Sequence, residues 1–134
     1  GHSMGGHGAL VLALRNPDRF QSVSAFSPVA NPVNCPWGQK AFAAYLGADV
    51  ASWAAYDASL LMRDATGAVP ALVDQGDADE FLEEQLKPEA LESGALASGY
   101  PLKLNRREGY DHSYNFIASF VEDHLRFHAK HLSA

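Results

Sequence analysis

The chain reads as an α/β protein built on a mostly parallel sheet with helices on both faces. Three observations predict this. Helical and short apolar strand patterns alternate along most of the 134 residues, and such alternation implies parallel strands joined by right-handed crossovers. A Gly-x-Ser-x-Gly run occupies Gly1 to Gly5, the pattern of a serine held on a sharp turn between a strand and a helix. Acidic residues and then a histidine follow two later strands, where loops at the C-terminal edge of a parallel sheet carry chemistry.

The elements follow in order. The run Ala-Leu-Val-Leu-Ala-Leu-Arg after the serine turn is apolar on nearly every side, which predicts a buried helix over 4–15 that Asn16-Pro17 ends. The glycines around Ser3 are expected to relieve crowding in the turn. Phe20 to Ser27 is a strand, with Val23, Ala25 and Phe26 set among polar residues. Three prolines and two asparagines make Pro28 to Gly38 a loop. Lys40 to Leu46 is a short helix closed by Gly47, and residues 50 to 63 add one or two helical turns. Together these form an insertion suited to part of a lid.

Val69 to Val73 is a strand apolar on both faces, leading into the polar turn Asp74-Gln75-Gly76-Asp77-Ala78-Asp79. Pro88, a favoured first helical residue, opens a helix to Ser98 that Gly99 caps. Leu102 and Leu104 alternate with Lys103 and Asn105, giving a strand over Pro101 to Arg107. After a loop at Gly109 to Ser113, a long helix from Tyr114 to Leu132 carries Phe116, Ile117, Phe120, Val121 and Leu125 on one stripe. The serine run begins at residue 1, so the strand delivering it is expected upstream. Residues 1–134 then read as the C-terminal portion of a single larger domain, inactive when isolated.

Composition excludes some classes. Apolar residues make up 47% and charged residues 19%, ordinary for a globular protein, and the net charge of −6 comes without a basic cluster. Nucleic acid and anionic membrane surfaces are therefore poor partners, and no run is long and apolar enough to span a bilayer. Cys35 is the single cysteine, which rules out an internal disulfide framework and suits a reducing compartment.

The chemistry follows from order and placement. A serine hydroxyl needs a histidine to take its proton, and an acid to fix that imidazole's tautomer. The α/β-hydrolase arrangement presents nucleophile, acid and histidine in that sequence. Ser3 is the nucleophile. His2 and His7 lie too close to Ser3 to reach it from another strand, and His124 and His128 fall on the packing stripe of the last helix. With His131 these two could mimic a metal face, but no carboxylate partner is evident. His112, in a loop after a strand, is the base. Asp74, Asp77 and Asp79 all compete for the acid; Asp74 closes its strand, and spacing alone does not separate the other two.

Four segments carry a resemblance. Gly-His-Ser-Met-Gly-Gly-His-Gly-Ala, Asn-Pro-Val-Asn-Cys-Pro-Trp-Gly-Gln-Lys-Ala-Phe, Asp-Gln-Gly-x-x-Asp-x-Phe-Leu and Glu-Gly-Tyr-Asp-His-Ser-Tyr resemble the esterase D family of S-formylglutathione hydrolases, from residue 1 to about residue 130. The resemblance implies an α/β-hydrolase fold with Ser3, Asp79 and His112 as triad. It implies the backbone N–H of Met4 as one oxyanion donor, with the second donor upstream of Gly1. It also implies hydrolysis of S-formylglutathione to glutathione and formate, in the cytoplasm, during formaldehyde detoxification and without metal or organic cofactor. Ala30 and Asn115 depart from residues the family often carries, and neither is a triad member. Trp37 either walls a small acyl pocket or packs the inserted loop, and Tyr110 either contacts substrate or orients the histidine loop. Cys35 reads as a buried small residue rather than a nucleophile. Homodimerisation is left open. The rival readings are a general carboxylesterase or acyltransferase with the same triad, and a non-catalytic module that keeps the fold.

Overall fold

The computed structural model describes residues 1–132. The elements are α1 (Met4–Arg15), β1 (Val23–Phe26), α2 (Pro36–Leu46), α3 (Ala58–Arg63), β2 (Ala71–Gly76), α4 (Pro88–Ser98), β3 (Leu102–Arg107) and α5 (Tyr114–Leu132). Single 3₁₀ segments at Pro32–Asn34 and Val50–Tyr56 flank α2, and a π turn at Leu82–Leu86 precedes α4.

The strands lie in the order β1-β2-β3, all parallel, with Val23 opposite Ala71 and Ala71 opposite Leu102. The chain start runs beside the outer edge of β1. His2 forms a parallel bridge with Phe26, and the Ser3 N–H donates to the Phe26 carbonyl at 2.9 Å. The serine turn is thereby fixed to the sheet by backbone bonds.

Successive strand residues face opposite ways, and the two faces differ in chemistry. Val23, Ala25, Ala71 and Val73 join Leu10 and Ala13 of α1, Met62 of α3 and Leu91 of α4 in one apolar core. The other face meets α5 largely through polar groups. Phe26 stacks on the His124 ring at 3.8 Å, and the Ser22 and Ser24 hydroxyls bond the two nitrogens of His128 at 2.7 and 2.8 Å. Burial on α5 therefore follows i+4 steps through Phe116, Phe120, His124 and His128. Val121 and Leu125 fall one position round, and Leu125 is 65% exposed, which narrows the expected stripe.

Several boundaries differ from the sequence reading, among them β1, which is Val23–Phe26 rather than Phe20 to Ser27. β2 begins at Ala71 and runs on to Gly76, so Asp74 and Gln75 belong to the strand rather than to a turn. Both are fully buried. The Asp74 carboxylate is satisfied by Arg107 and His124, far away in sequence, whereas the Gln75 amide donates locally to the Gly76 carbonyl at 3.0 Å and to Asp79 at 3.3 Å. α2 starts at Pro36, four residues ahead of the expected Lys40. Its first turn is capped unusually: the Gly38 N–H donates to Cys35 Sγ at 3.4 Å and the Trp37 N–H to Gln85 Oε1 at 2.9 Å. The π turn after Phe81 has no counterpart in the sequence reading. α4 and α5 have the expected bounds, and Gly99 caps α4 in the left-handed region at φ 70°. Among the described residues no helix is long and apolar enough to cross a membrane.

Candidate active site

Ser3 sits between the β1-bound chain start and α1 with φ 57° and ψ −118°, a backbone state that costs a non-glycine residue about 1–3 kcal/mol. Its geometry explains one glycine and corrects the role of another. A Cβ on Gly1 would lie 2.2 Å from the Gly5 carbonyl oxygen, whereas a Cβ on Gly5 would meet nothing within 4 Å among the described residues. Crowding therefore demands glycine before the serine, and the space beside Gly5 is open. The Met4 N–H opens α1, where helix geometry provides no intrahelical acceptor.

The three aspartates separate into three roles. Asp74 is fully buried and takes the Arg107 Nε–H at 2.8 Å and the His124 Nε2–H at 2.7 Å. Burial works against its charge, and these two bonds outweigh it, so its carboxyl lies below the usual range. Asp77 is exposed and accepts the Gly109 N–H at 2.7 Å, holding the loop that carries His112. Asp79, at the tip of the β2 turn, is bonded through Oδ2 to His112 Nδ1 at 2.7 Å. It also accepts the Phe81 N–H at 2.9 Å and the Gln75 amide at 3.3 Å. Burial again opposes its ionisation, and the His112 bond followed by the Phe81 N–H holds its carboxyl below the ordinary value.

The loops are laced together to place this pair. The Ala78 N–H donates to the Tyr110 carbonyl at 3.0 Å, and a Cβ on Gly76 would stand 2.1 Å from that same oxygen. The β2 turn and the histidine loop touch because Gly76 has no side chain. The His112 ring lies between His2, at 4.5 Å between centroids, and the edge of Phe81 at 5.3 Å. His2 immediately precedes Ser3, so the Asp79–His112 couple packs against the serine turn. With Nδ1 committed to Asp79, the other ring nitrogen of His112 is left to exchange protons. No hydrogen bond joins Ser3 Oγ to His112 among the described residues, and such bonds are commonly loose in unliganded enzymes. Burial, and next the neighbouring His112, push the His2 imidazole below its usual pKa.

Ser3 opens onto a cavity of ≈ 500 Å³ whose other wall is one face of α2, with Trp37, Lys40, Ala44 and Tyr45. Trp37 lines this cavity and also packs its ring on Phe81 at 4.6 Å. Trp37 thus both lines the cavity and packs against the body, in a row Trp37–Phe81–His112. Tyr110 is not on the cavity wall; its ring packs on Phe116 and Phe120 at 5.7 and 5.0 Å. Cys35 is fully buried, and burial raises its thiol pKa. Among the described residues no cluster of three His, Cys, Asp or Glu could hold a metal ion.

Sequence reasoning missed Gln75, Phe81 and Gln85. A signal existed for Phe81: an aspartate two positions before it is the signature of an Asx turn, which Asp79 makes. The Gln85 contact is long-range, 48 residues from Trp37, and no local pattern announces it; Gln75 bonds Asp79 only because its strand runs on past Asp74.

Family comparison matches residues 1–127 to the esterase model. The chain belongs to the esterase family. This esterase-family chain is 53% identical over 136 aligned residues to the S-formylglutathione hydrolase of Rattus norvegicus, covering all of the chain and 48% of that protein. It superposes on an S-formylglutathione hydrolase from Agrobacterium tumefaciens with a TM-score of 0.92 at 48% identity, covering 98% of the chain and 48% of that one. An S-formylglutathione hydrolase from Staphylococcus aureus shares the fold, with a TM-score of 0.73 at 19% identity over 95% of the chain and 52% of that structure. The esterase-family chain thus spans about half the length of the relatives it matches.

Proposed function

We propose that the complete protein is a serine thioesterase that hydrolyses S-formylglutathione to glutathione and formate. The observation that carries this reading is the Asp79–His112 couple packed beside the strained Ser3 turn. The likeness to rat S-formylglutathione hydrolase supports the choice of substrate. Ser3 Oγ attacks the formyl carbon while His112 takes its proton, and Asp79 stabilises the resulting imidazolium. The Met4 N–H donates to the oxyanion that forms. The C–S bond then breaks, His112 returns the proton to the departing thiolate, and a formyl ester remains on Ser3. Water enters, gives a proton to His112 and releases formate, and the serine is reprotonated. No step calls for a metal or organic cofactor. We place this reaction in the cytoplasm, in formaldehyde detoxification, a setting that suits the buried free thiol of Cys35.

The reading concerns the complete protein. The 134-residue chain alone should be inactive, because it spans about half the length of the relatives it matches. The test is an assay of the complete protein on S-formylglutathione beside p-nitrophenyl esters and alcohol acceptors. A kcat/KM for S-formylglutathione well above the others supports the proposal. Preference for simple esters or for acyl transfer would replace it with the broader esterase or acyltransferase reading.

A further inference from the structure

The cavity beside Ser3 has one feature that acyl chemistry does not use. Its α2 wall is made by Trp37, Lys40, Ala41, Ala44 and Tyr45, positions i, i+3, i+4, i+7 and i+8, so a single helical face lines the trough. Most of that face is apolar. Among the described residues Lys40 is its one charged side chain, and no acidic residue shares the wall. Lys40 is exposed and makes no ion pair with a described residue; Arg15, Arg19, Lys87 and Lys103 make none either, and of these Lys40 alone lines the cavity beside Ser3. The net charge of the chain is −6, so an unpaired cation on the wall of the nucleophile's cavity stands against the general field.

We infer that Lys40 is a specificity-determining residue that receives a carboxylate of the thiol-bearing half of the substrate. The inference rests on the thioesterase reading above. A formyl group is too small to need a trough of this size, whereas the glutathione moiety carries two carboxylates on a flexible chain. Lys40 lies one helical turn beyond Trp37, about 4.5 Å along the axis, and its own side chain extends the reach further. A carboxylate held there leaves the thioester end of the same molecule at Ser3. The ammonium acts on binding, and the bond-breaking steps do not involve it.

The test compares two formyl thioesters in the complete protein, S-formylglutathione and the uncharged S-formyl-N-acetylcysteamine. Lys40→Met should raise KM for S-formylglutathione by about tenfold, the worth of one charge-assisted hydrogen bond, with a much smaller effect on kcat. The loss on the uncharged thioester should be several-fold less, and Lys40→Arg should recover most of the S-formylglutathione activity. Raising ionic strength should increase the wild-type KM for S-formylglutathione and affect the Lys40→Met variant far less. Equal losses on both thioesters, or no change on S-formylglutathione, would overturn the assignment of Lys40 and leave the thioesterase reading standing. A wild-type protein that does not hydrolyse S-formylglutathione would sink both. A melting temperature for Lys40→Met close to wild type separates these outcomes from misfolding.

Discussion

At the scale of single residues the proposed site depends on three side chains, Ser3, Asp79 and His112, that few substitutions can imitate. Ser3→Ala and His112→Ala in the complete protein should each lower kcat on the order of ten-thousandfold, since no other group can attack or carry the proton. Circular dichroism should show both variants folded, and near-normal turnover in either would remove it from the mechanism. Asp79→Asn should cost about a thousandfold in kcat, because Asn keeps the shape and loses the charge that faces imidazolium. Asp77→Asn should cost less than about tenfold, since Asp77 serves only the Gly109 N–H; a larger loss at Asp77 reverses the assignment. Spacing left these two aspartates unseparated, and the resemblance favoured Asp79. What spacing could not supply is the partner: Asp77 and Asp79 sit two residues apart, and only the folded loop decides which one meets an imidazole.

At the scale of elements, legibility tracked where satisfaction came from. α4 and α5 were readable to their ends because their signals are local, a proline at the first position, an αL glycine and a long amphipathic pattern. β2 was read as ending at Val73 because Asp74 looks like turn chemistry, yet its partners Arg107 and His124 lie 33 and 50 residues away. The start of α2 is hidden partly for the same reason: one of its two caps is Gln85, 48 residues on from Trp37, and the other is the unusual sulfur of Cys35. Asp74→Ala should therefore destabilise the complete protein by about 2–4 kcal/mol in urea titration, by stripping a buried carboxylate from its two partners. A change under about 0.5 kcal/mol would mean α5 is held otherwise. Gly76→Ala should act differently, displacing the Tyr110 carbonyl and with it the histidine loop. We expect kcat to fall at least tenfold while the fold survives, and an unchanged kcat would show that the two loops move independently.

At the scale of the whole molecule, three histidines, His2, His7 and His128, are all pushed below their usual pKa, chiefly by burial. A lowered imidazole binds fewer protons folded than unfolded, so stability falls as pH drops through about 6.5, the unfolded value. The depressed Asp74 and Asp79 carboxyls give stability that is present above about pH 4 and lost as pH falls further through their folded values. Urea midpoints of the complete protein should thus already decline between about pH 7 and pH 5.5, with a second decline below about pH 4. A midpoint flat down to pH 5 would contradict the histidine contribution. The two faces of the sheet also differ in what they tolerate, one closed by hydrocarbon and the other by Asp74, His124, His128 and two serines. Of the three lowered histidines, His128 lies on the second face, while His7 lies in α1 and His2 at the serine turn. Amide deuterium uptake at pH 5 should therefore rise first along α5 and the first turn of α1, while β2, paired on both sides, stays protected. The centre of the sheet would then outlast its flanking helices in acid, and neutralisation would restore them without a refolding lag.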